Sequence, residues 1–329
     1  MKQAAGDQIR VLYSEGCHLW KDTIEHLAAP GQPDRLAEAQ AVAEYSDVVL
    51  LVVGLDETLE GEEGDTGNSD ASGDKKDLEF PEPQKKLMDQ ILECKKPVIL
   101  VNMTGSAMNL SVAEEKAAAI IQAWYPGARG GKAVSDVIFG EKSPSGKLPV
   151  TFYKDTSDIP NFEDYSMKNR TYRYYTGEPL YPFGYGLSYT TFEYSDLQVK
   201  PDGVTFIIRN TGKYDGAEIA QLYVGLPGAK VFRPVKELKG FSKVFLKAGE
   251  EKSVSIKFDD KTFRYWNMKT NKWEVEGGVY SIMIGASCAD IRLQDSLAII
   301  GTTEVMPYYT NRVSSYVDGK VQKVGNEEY

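Results

Sequence analysis

Asp56, Glu57, Glu60, Glu62, Glu63 and Asp65 crowd one glycine-punctuated stretch, Gly54-Leu55-Asp56-Glu57-Thr58-Leu59-Glu60-Gly61-Glu62-Glu63-Gly64-Asp65. Carboxylates packed this closely can do general acid and base work, because neighbouring negative charge makes one of them easier to protonate. Without context, an acidic run is most economically a solvated loop. Two features favour chemistry. The run follows an unbroken apolar segment, Val48 to Leu55, and its glycines allow backbone to come close to a ligand.

Other clusters fail on chemistry. Gly127-Ala128-Arg129-Gly130-Gly131-Lys132-Ala133 has its glycines too close together for a phosphate loop, and Ala133 stands where a magnesium-binding hydroxyl is needed. Residues 65–79 are rich in oxygen ligands but lack the calcium loop's spacing. His18 and His26 are the only histidines, which leaves no basis for a Ser-His-Asp triad or a histidine metal site. Cys17, Cys94 and Cys288 are odd in number and widely spaced, so buried thiols are expected rather than a disulfide framework or zinc site. Neither a metal nor a cofactor is expected.

The elements that must position the acidic loop read as alternating strand and helix. Residues 9–13 read as a short strand, residues 35–45 as a helix with Asp34 as its N-cap, and residues 48–55 as a strand buried on both faces. A helix over 83–96 leads into a strand over 98–103; a further apolar segment at 119–124 precedes Gly130-Gly131 and a helix through Phe139. This alternation predicts an α/β sandwich with a mainly parallel sheet. After residue 190 the period changes to two. Segments 204–209, 218–224, 253–258 and 279–284, with hairpin turns at Asn210-Thr211-Gly212 and Lys247-Ala248-Gly249-Glu250, predict an antiparallel β-sandwich.

The net charge of −10 argues against nucleic acid, which needs clustered Lys and Arg, and no segment approaches the roughly 18 apolar residues of a membrane span. No charged-then-apolar leader precedes the first strand-like segment, so a cytoplasmic location is expected.

Between the two patterns lies Arg170-Thr171-Tyr172-Arg173-Tyr174-Tyr175, followed by Glu178-Pro179-Leu180-Tyr181-Pro182-Phe183-Gly184-Tyr185-Gly186-Leu187-Ser188-Tyr189-Thr190-Thr191-Phe192. Its aromatics could be a sugar platform, but they are better suited to filling a seam between two domains, with Arg170 and Arg173 as anchors. The stretch resembles the linker signature of glycoside hydrolase family 3, and the resemblance runs from about Ile9 to about Ile300. It implies an α/β sandwich domain over 1–160, a linker over 161–191, a fibronectin type III-like domain over 192–301 and a polar tail over 302–329. It also implies that the family's α/β sandwich carries one more strand before Cys17-His18, so an unpaired sheet edge is expected here.

The same resemblance implies part of a retaining β-glycosidase, of β-glucosidase or β-xylosidase type, acting on a β-linked oligosaccharide or glycoside. Family members place their acid/base glutamate in a Glu-X-Glu-Gly loop. Carried over by position, that residue is Glu62, with Glu63 and then Glu60 as alternatives. The nucleophilic aspartate of the family follows a serine and precedes a tryptophan on a (β/α)8 barrel. Every Ser-Asp here, at 46–47, 69–70, 135–136, 157–158 and 195–196, lacks the following Trp. The resemblance therefore implies a barrel supplied in cis or in trans. The competing expectation is a non-catalytic carbohydrate-binding or scaffolding module.

Overall fold

The computed structural model describes residues 1–21, 35–57, 59–60, 75–161, 164–165 and 167–307. They fall into two compact units, one of residues 1–142 with 152–156, the other of residues 143–151 with those from 157 onward.

In the first unit, α1 (Lys2–Ala5) and α2 (Leu36–Glu44) precede β1 (Val49–Gly54), α3 (Glu82–Leu92), β2 (Val98–Met103), α4 (Ser111–Lys116), β3 (Ala119–Gln122) and α5 (Gly130–Ile138). The strands form a parallel sheet in the order β1-β2-β3, with Leu51 opposite Leu100 and Val101 opposite Ile121. Parallel strands need crossovers, and the helices provide them. On α3, Leu87, Met88, Ile91 and Leu92 are buried at helical spacing. The helix ends at Leu92 rather than at Lys96, because the approach to Pro97 turns the backbone out of helical geometry: Cys94 N–H already bonds the Ile91 carbonyl.

Burial on both faces, expected of the Val48–Leu55 run, holds better for the central β2, where Val98, Leu100 and Val101 are buried. On β1, at an edge of the described sheet, Leu51 and Val53 are buried but Val52 is 51% exposed. Residues 9–13 form no strand; Tyr13 is 77% exposed, and a five-residue segment interrupted by Arg10 is too short for its period to specify pairing. Asp34, the expected N-cap, lies outside the described residues.

The second unit holds α6 (Thr171–Tyr174), β4 (Phe192–Lys200), β5 (Gly203–Asn210), β6 (Gly216–Gly225), β7 (Glu237–Leu246), β8 (Glu251–Lys257), β9 (Arg264–Asn267), β10 (Lys272–Val275), β11 (Gly278–Gly285) and β12 (Ile291–Ile299). The strands form antiparallel sheets, β12-β11-β6-β7 and β4-β5-β8, with the hairpin β9-β10 beside them. Alternate residues of facing strands make the core: Val204, Phe206 and Ile208 from β5, Ala220, Leu222 and Val224 from β6, Tyr280, Ile282 and Ile284 from β11. This is the expected β-sandwich. The turns at 210–212 and 247–250 are correctly placed but pass between sheets, since β5 and β6 lie in different sheets, as do β7 and β8.

The aromatic signature packs within this second unit. Tyr172 stacks on Phe183 with centroids 4.3 Å apart and meets Tyr223 edge-on at 6.1 Å. Phe183 accepts a hydrogen bond from Cys288 N–H through its backbone carbonyl, and the Tyr172 hydroxyl accepts one from Leu238 N–H. Tyr223 is buried on the second face of β6, so these aromatics cover the outside of that sheet. Arg170 gathers the carbonyls of Asn161 and Asp164 at 2.7 and 2.8 Å, bracing the approach to α6.

Candidate active-site loop

Three loops meet at the carboxyl ends of β1, β2 and β3, where open α/β sheets bind ligands. The β1 loop begins by folding on itself: the Leu59 and Glu60 N–H groups both donate to the Asp56 carbonyl, at 3.0 and 2.9 Å. That turn aims the Glu60 side chain at the turn after β2. Its Oε2 accepts from Gly105 N–H at 2.8 Å and from the Tyr125 hydroxyl, its Oε1 from the Ser106 hydroxyl, and Lys75 Nζ stands 3.7 Å from Oε1. Tyr125 comes from the turn after β3. One carboxylate thus ties together all three strand ends.

The closeness depends on Gly105. A Cβ there would sit 2.7 Å from the Tyr125 ring and 3.2 Å from Glu60 Oε2, so only glycine leaves room for both. Beneath the cluster a buried polar network orients the strand ends. Asn102 Nδ2 donates to Gln122 Oε1 at 2.6 Å and to Thr104 Oγ1 at 3.0 Å, and the Thr104 hydroxyl donates to the Ser106 carbonyl at 2.8 Å. Ser106 is therefore held in place from below before it meets Glu60.

Burial by itself pushes the Glu60 carboxyl up. The hydrogen bonds from Ser106, Tyr125 and Gly105, with the charge of Lys75, outweigh it and hold the group below its ordinary value. Burial and the Glu60 charge hold the Tyr125 phenol far above its ordinary range, so it remains a donor. Burial lowers Lys75, against the pull of Glu60. Glu60 is an ionised acceptor with its oxygens occupied. Glu62 and Glu63, the other candidates for proton transfer, lie outside the described residues.

The remaining sequence candidates have structural partners. His18 Nδ1 accepts the N–H groups of Trp20 and Lys21 at 3.2 and 3.0 Å, closing a turn. The glycine run at 127–131 leads into α5, with Gly130 seated against the Pro126 ring. Sequence reasoning did not find Tyr125, Ser106 or Lys75. Their signal is only positional: two of them immediately follow apolar strand-like runs, and Lys75 closes the acidic segment.

Comparison with known proteins agrees with this architecture. Residues 2–189 match the glycosyl hydrolase family 3 C-terminal domain, and residues 218–288 match a fibronectin type III-like domain. The thermostable β-glucosidase B of Acetivibrio thermocellus is 37% identical over 94% of this chain, and a xylan 1,4-β-xylosidase of Xylanibacter ruminicola is 41% identical over 74% of it. The chain spans 42% and 29% of the length of those relatives, respectively. Among solved structures, a Bifidobacterium adolescentis β-glucosidase superposes with a TM-score of 0.74 at 33% identity, over 85% of this chain and 43% of that one. A Trichoderma reesei β-D-glucoside glucohydrolase gives a TM-score of 0.74 at 28% identity, over 80% of this chain and 42% of that one. With an α/β sheet, a β-sandwich and the aromatic signature joined in one order, the chain belongs to glycoside hydrolase family 3.

Proposed function

We propose that this chain is part of a retaining β-glycosidase and that its β1 loop delivers Glu62 as the acid/base, with Glu63 and then Glu60 as the alternatives. The observation that carries the reading is the fastening of the acidic loop, through Glu60, to the carboxyl ends of β2 and β3. Similarity to a β-glucosidase and a β-xylosidase supports the reaction class.

The chemistry explains why Glu62 is preferred to Glu60. In the first step of a retaining mechanism a carboxylate attacks the anomeric carbon while a protonated acid gives its proton to the leaving oxygen. In the second step the same acid, now ionised, takes a proton from the water that releases the sugar. That residue must begin protonated near neutral pH, so its pKa must be raised. Glu60 would first have to give up the hydrogen bonds its oxygens accept from Gly105, Ser106 and Tyr125. The nucleophile and the pocket for the terminal sugar belong, in this reading, to a (β/α)8 barrel.

The test is complementation. The isolated chain should leave nitrophenyl β-glucoside and β-xyloside untouched, and joining it to a family barrel that lacks its own C-terminal domains should restore turnover. Restored turnover that is unaffected by changing Glu60, Glu62 and Glu63 would leave the chain as a carbohydrate-binding or scaffolding module.

A further inference from the structure

Two of the four tryptophans, Trp266 and Trp273, stand directly opposite one another on the hairpin β9-β10, and they are 39% and 54% exposed. The hairpin is anchored by its other face. Tyr265, Asn267 and Glu274 are buried there; Asn267 Nδ2 donates to the Val305 carbonyl at 2.7 Å, and Glu274 Oε2 accepts from the Thr302 hydroxyl. The tryptophans therefore lie on the outward face, where the alternation of a strand also places Arg264. Their rings meet at 75° with centroids 5.4 Å apart. The Arg264 guanidinium lies over the Trp273 ring, 4.3 Å from its centroid, and Asp260 holds it at 2.7 Å. Arg264 covers one side of Trp273, and the open half of that ring faces solvent beside the upright Trp266.

The pair makes a corner with an indole floor and an indole wall. Lys272 is exposed beside Trp273, and the Asp260 side chain is 76% exposed, so hydrogen-bonding groups border the rings. The cation against the floor is already paired with Asp260, so the rings do not call for an ionic ligand. What fits is a ring with an apolar face to lie on Trp273 and hydroxyls around its edge for the rim. β-Linked glucose and xylose units have that form, with equatorial hydroxyls and C–H groups turned to the two faces. A cross-strand pair that only stapled the hairpin would gain by burying its rings, yet this one leaves Trp273 more than half open.

We propose that Trp266 and Trp273 form a glycan-binding corner on the β-sandwich unit, which takes a pyranose unit of a β-linked glucan or xylan. The choice of glycan rests on the glycosidase reading of the chain; the corner does not. One stacked sugar binds weakly, so the corner serves a polymer, whose many units raise the effective concentration of ligand.

The experiment follows the four indole N–H resonances of the whole chain, assigned by single Trp→Phe substitutions, during titration with xylohexaose, cellohexaose and, as the α-linked control, maltohexaose. The Trp266 and Trp273 resonances should shift with one or both β-linked sugars and saturate in roughly the millimolar range, while that of Trp20 stays in place. Trp273→Ala should weaken the interaction by roughly tenfold, as loss of an aromatic contact predicts, and Trp273→Phe, which retains a flat ring, should weaken it less. The phenylalanine variant also retains the cross-strand pair, so the comparison stands where the alanine variant does not fold. No shift at either resonance with either β-linked sugar in folded protein would overturn the corner and leave the pair as a staple of the hairpin. Equal shifts with maltohexaose would overturn the assignment to β-linked chains. Binding is read without a barrel and without turnover, so failure of the corner is told apart from failure of the glycosidase reading.

Discussion

Gln84 on α3 satisfies both backbone groups of Gly54, the last residue of β1: Gly54 N–H donates to Gln84 Oε1 at 2.9 Å, and Gln84 Nε2 donates to the Gly54 carbonyl at 2.7 Å. The same amide nitrogen reaches the Leu19 carbonyl at 2.7 Å. A buried side chain thus substitutes for a strand at the point where β1 hands over to the acidic loop. Gln84→Ala leaves these backbone groups unsatisfied, at about 1–3 kcal/mol each. Urea unfolding should show a loss of at least about 2 kcal/mol; a loss below about 0.5 kcal/mol would mean that water replaces the amide at no cost.

Gly105→Ala should displace the Tyr125 ring and loosen Glu60, because the added Cβ falls 2.7 Å from the ring. Overpacking of this kind costs about 1–3 kcal/mol. Thermal unfolding measures the loss, and Gly105→Ala combined with Tyr125→Ala should recover part of it by making space. No recovery in the double variant would place the strain elsewhere.

Stability should depend on acid through Glu60. Its folded pKa is below the unfolded one, so its contribution is fully present above the ordinary glutamate range and is lost as pH falls through the folded value. Wild type and Glu60→Gln should therefore differ by a constant amount from pH 7 down to about pH 5 and converge below about pH 4.5. Denaturant midpoints across that range measure it, and a gap that widens on acidification would reverse the assigned sign.

Gly184 in the aromatic signature has φ of 81°, and a Cβ there would collide with the Gln221 side chain. Gln221 Nε2 donates to the Gly184 and Ala286 carbonyls at 3.0 and 2.7 Å, and the Tyr223 hydroxyl donates to Gln221 Oε1 at 2.6 Å. Gly184→Ala should undock the signature from β6 and open it to trypsin at Arg170 and Arg173, with the wild-type chain digested more slowly at these sites. Unchanged digestion would show that the packing of Tyr172 and Phe183 suffices without this junction.

The sandwich was legible because half-buried strands alternate. Val204, Phe206 and Ile208 announce their face, and the observed strand differs from the expected one only at its ends. The parallel sheet was legible from apolar runs and the stripe on α3. What the pattern could not give was the difference between a central and an edge strand: β1 and β2 are equally apolar, yet Val52 is open and Val101 is buried. Residues 9–13 show the same limit, since hydrophobicity without a partner makes no strand. The location of the acidic loop followed from the strand before it. Its anchors did not, because Ser106 and Tyr125 meet Glu60 from distant turns and neither carries a motif. Glu60 itself looked like its neighbours in sequence; only its donors distinguish it.

The most direct test of the account is azide rescue at Glu62, with this chain joined to a family barrel and a dinitrophenyl β-glycoside as substrate. That leaving group hardly needs an acid, so Glu62→Ala should form glycosyl-enzyme rapidly and then stall for lack of a base to activate water. Azide needs no deprotonation. It should attack the anomeric carbon, displace the enzyme carboxylate and restore turnover as the β-glycosyl azide, whereas Glu60→Ala and Glu63→Ala should show no such rescue. Rescue at Glu63 would shift the acid/base by one position, and absence of rescue at all three positions would contradict the claim that this loop carries the acid/base.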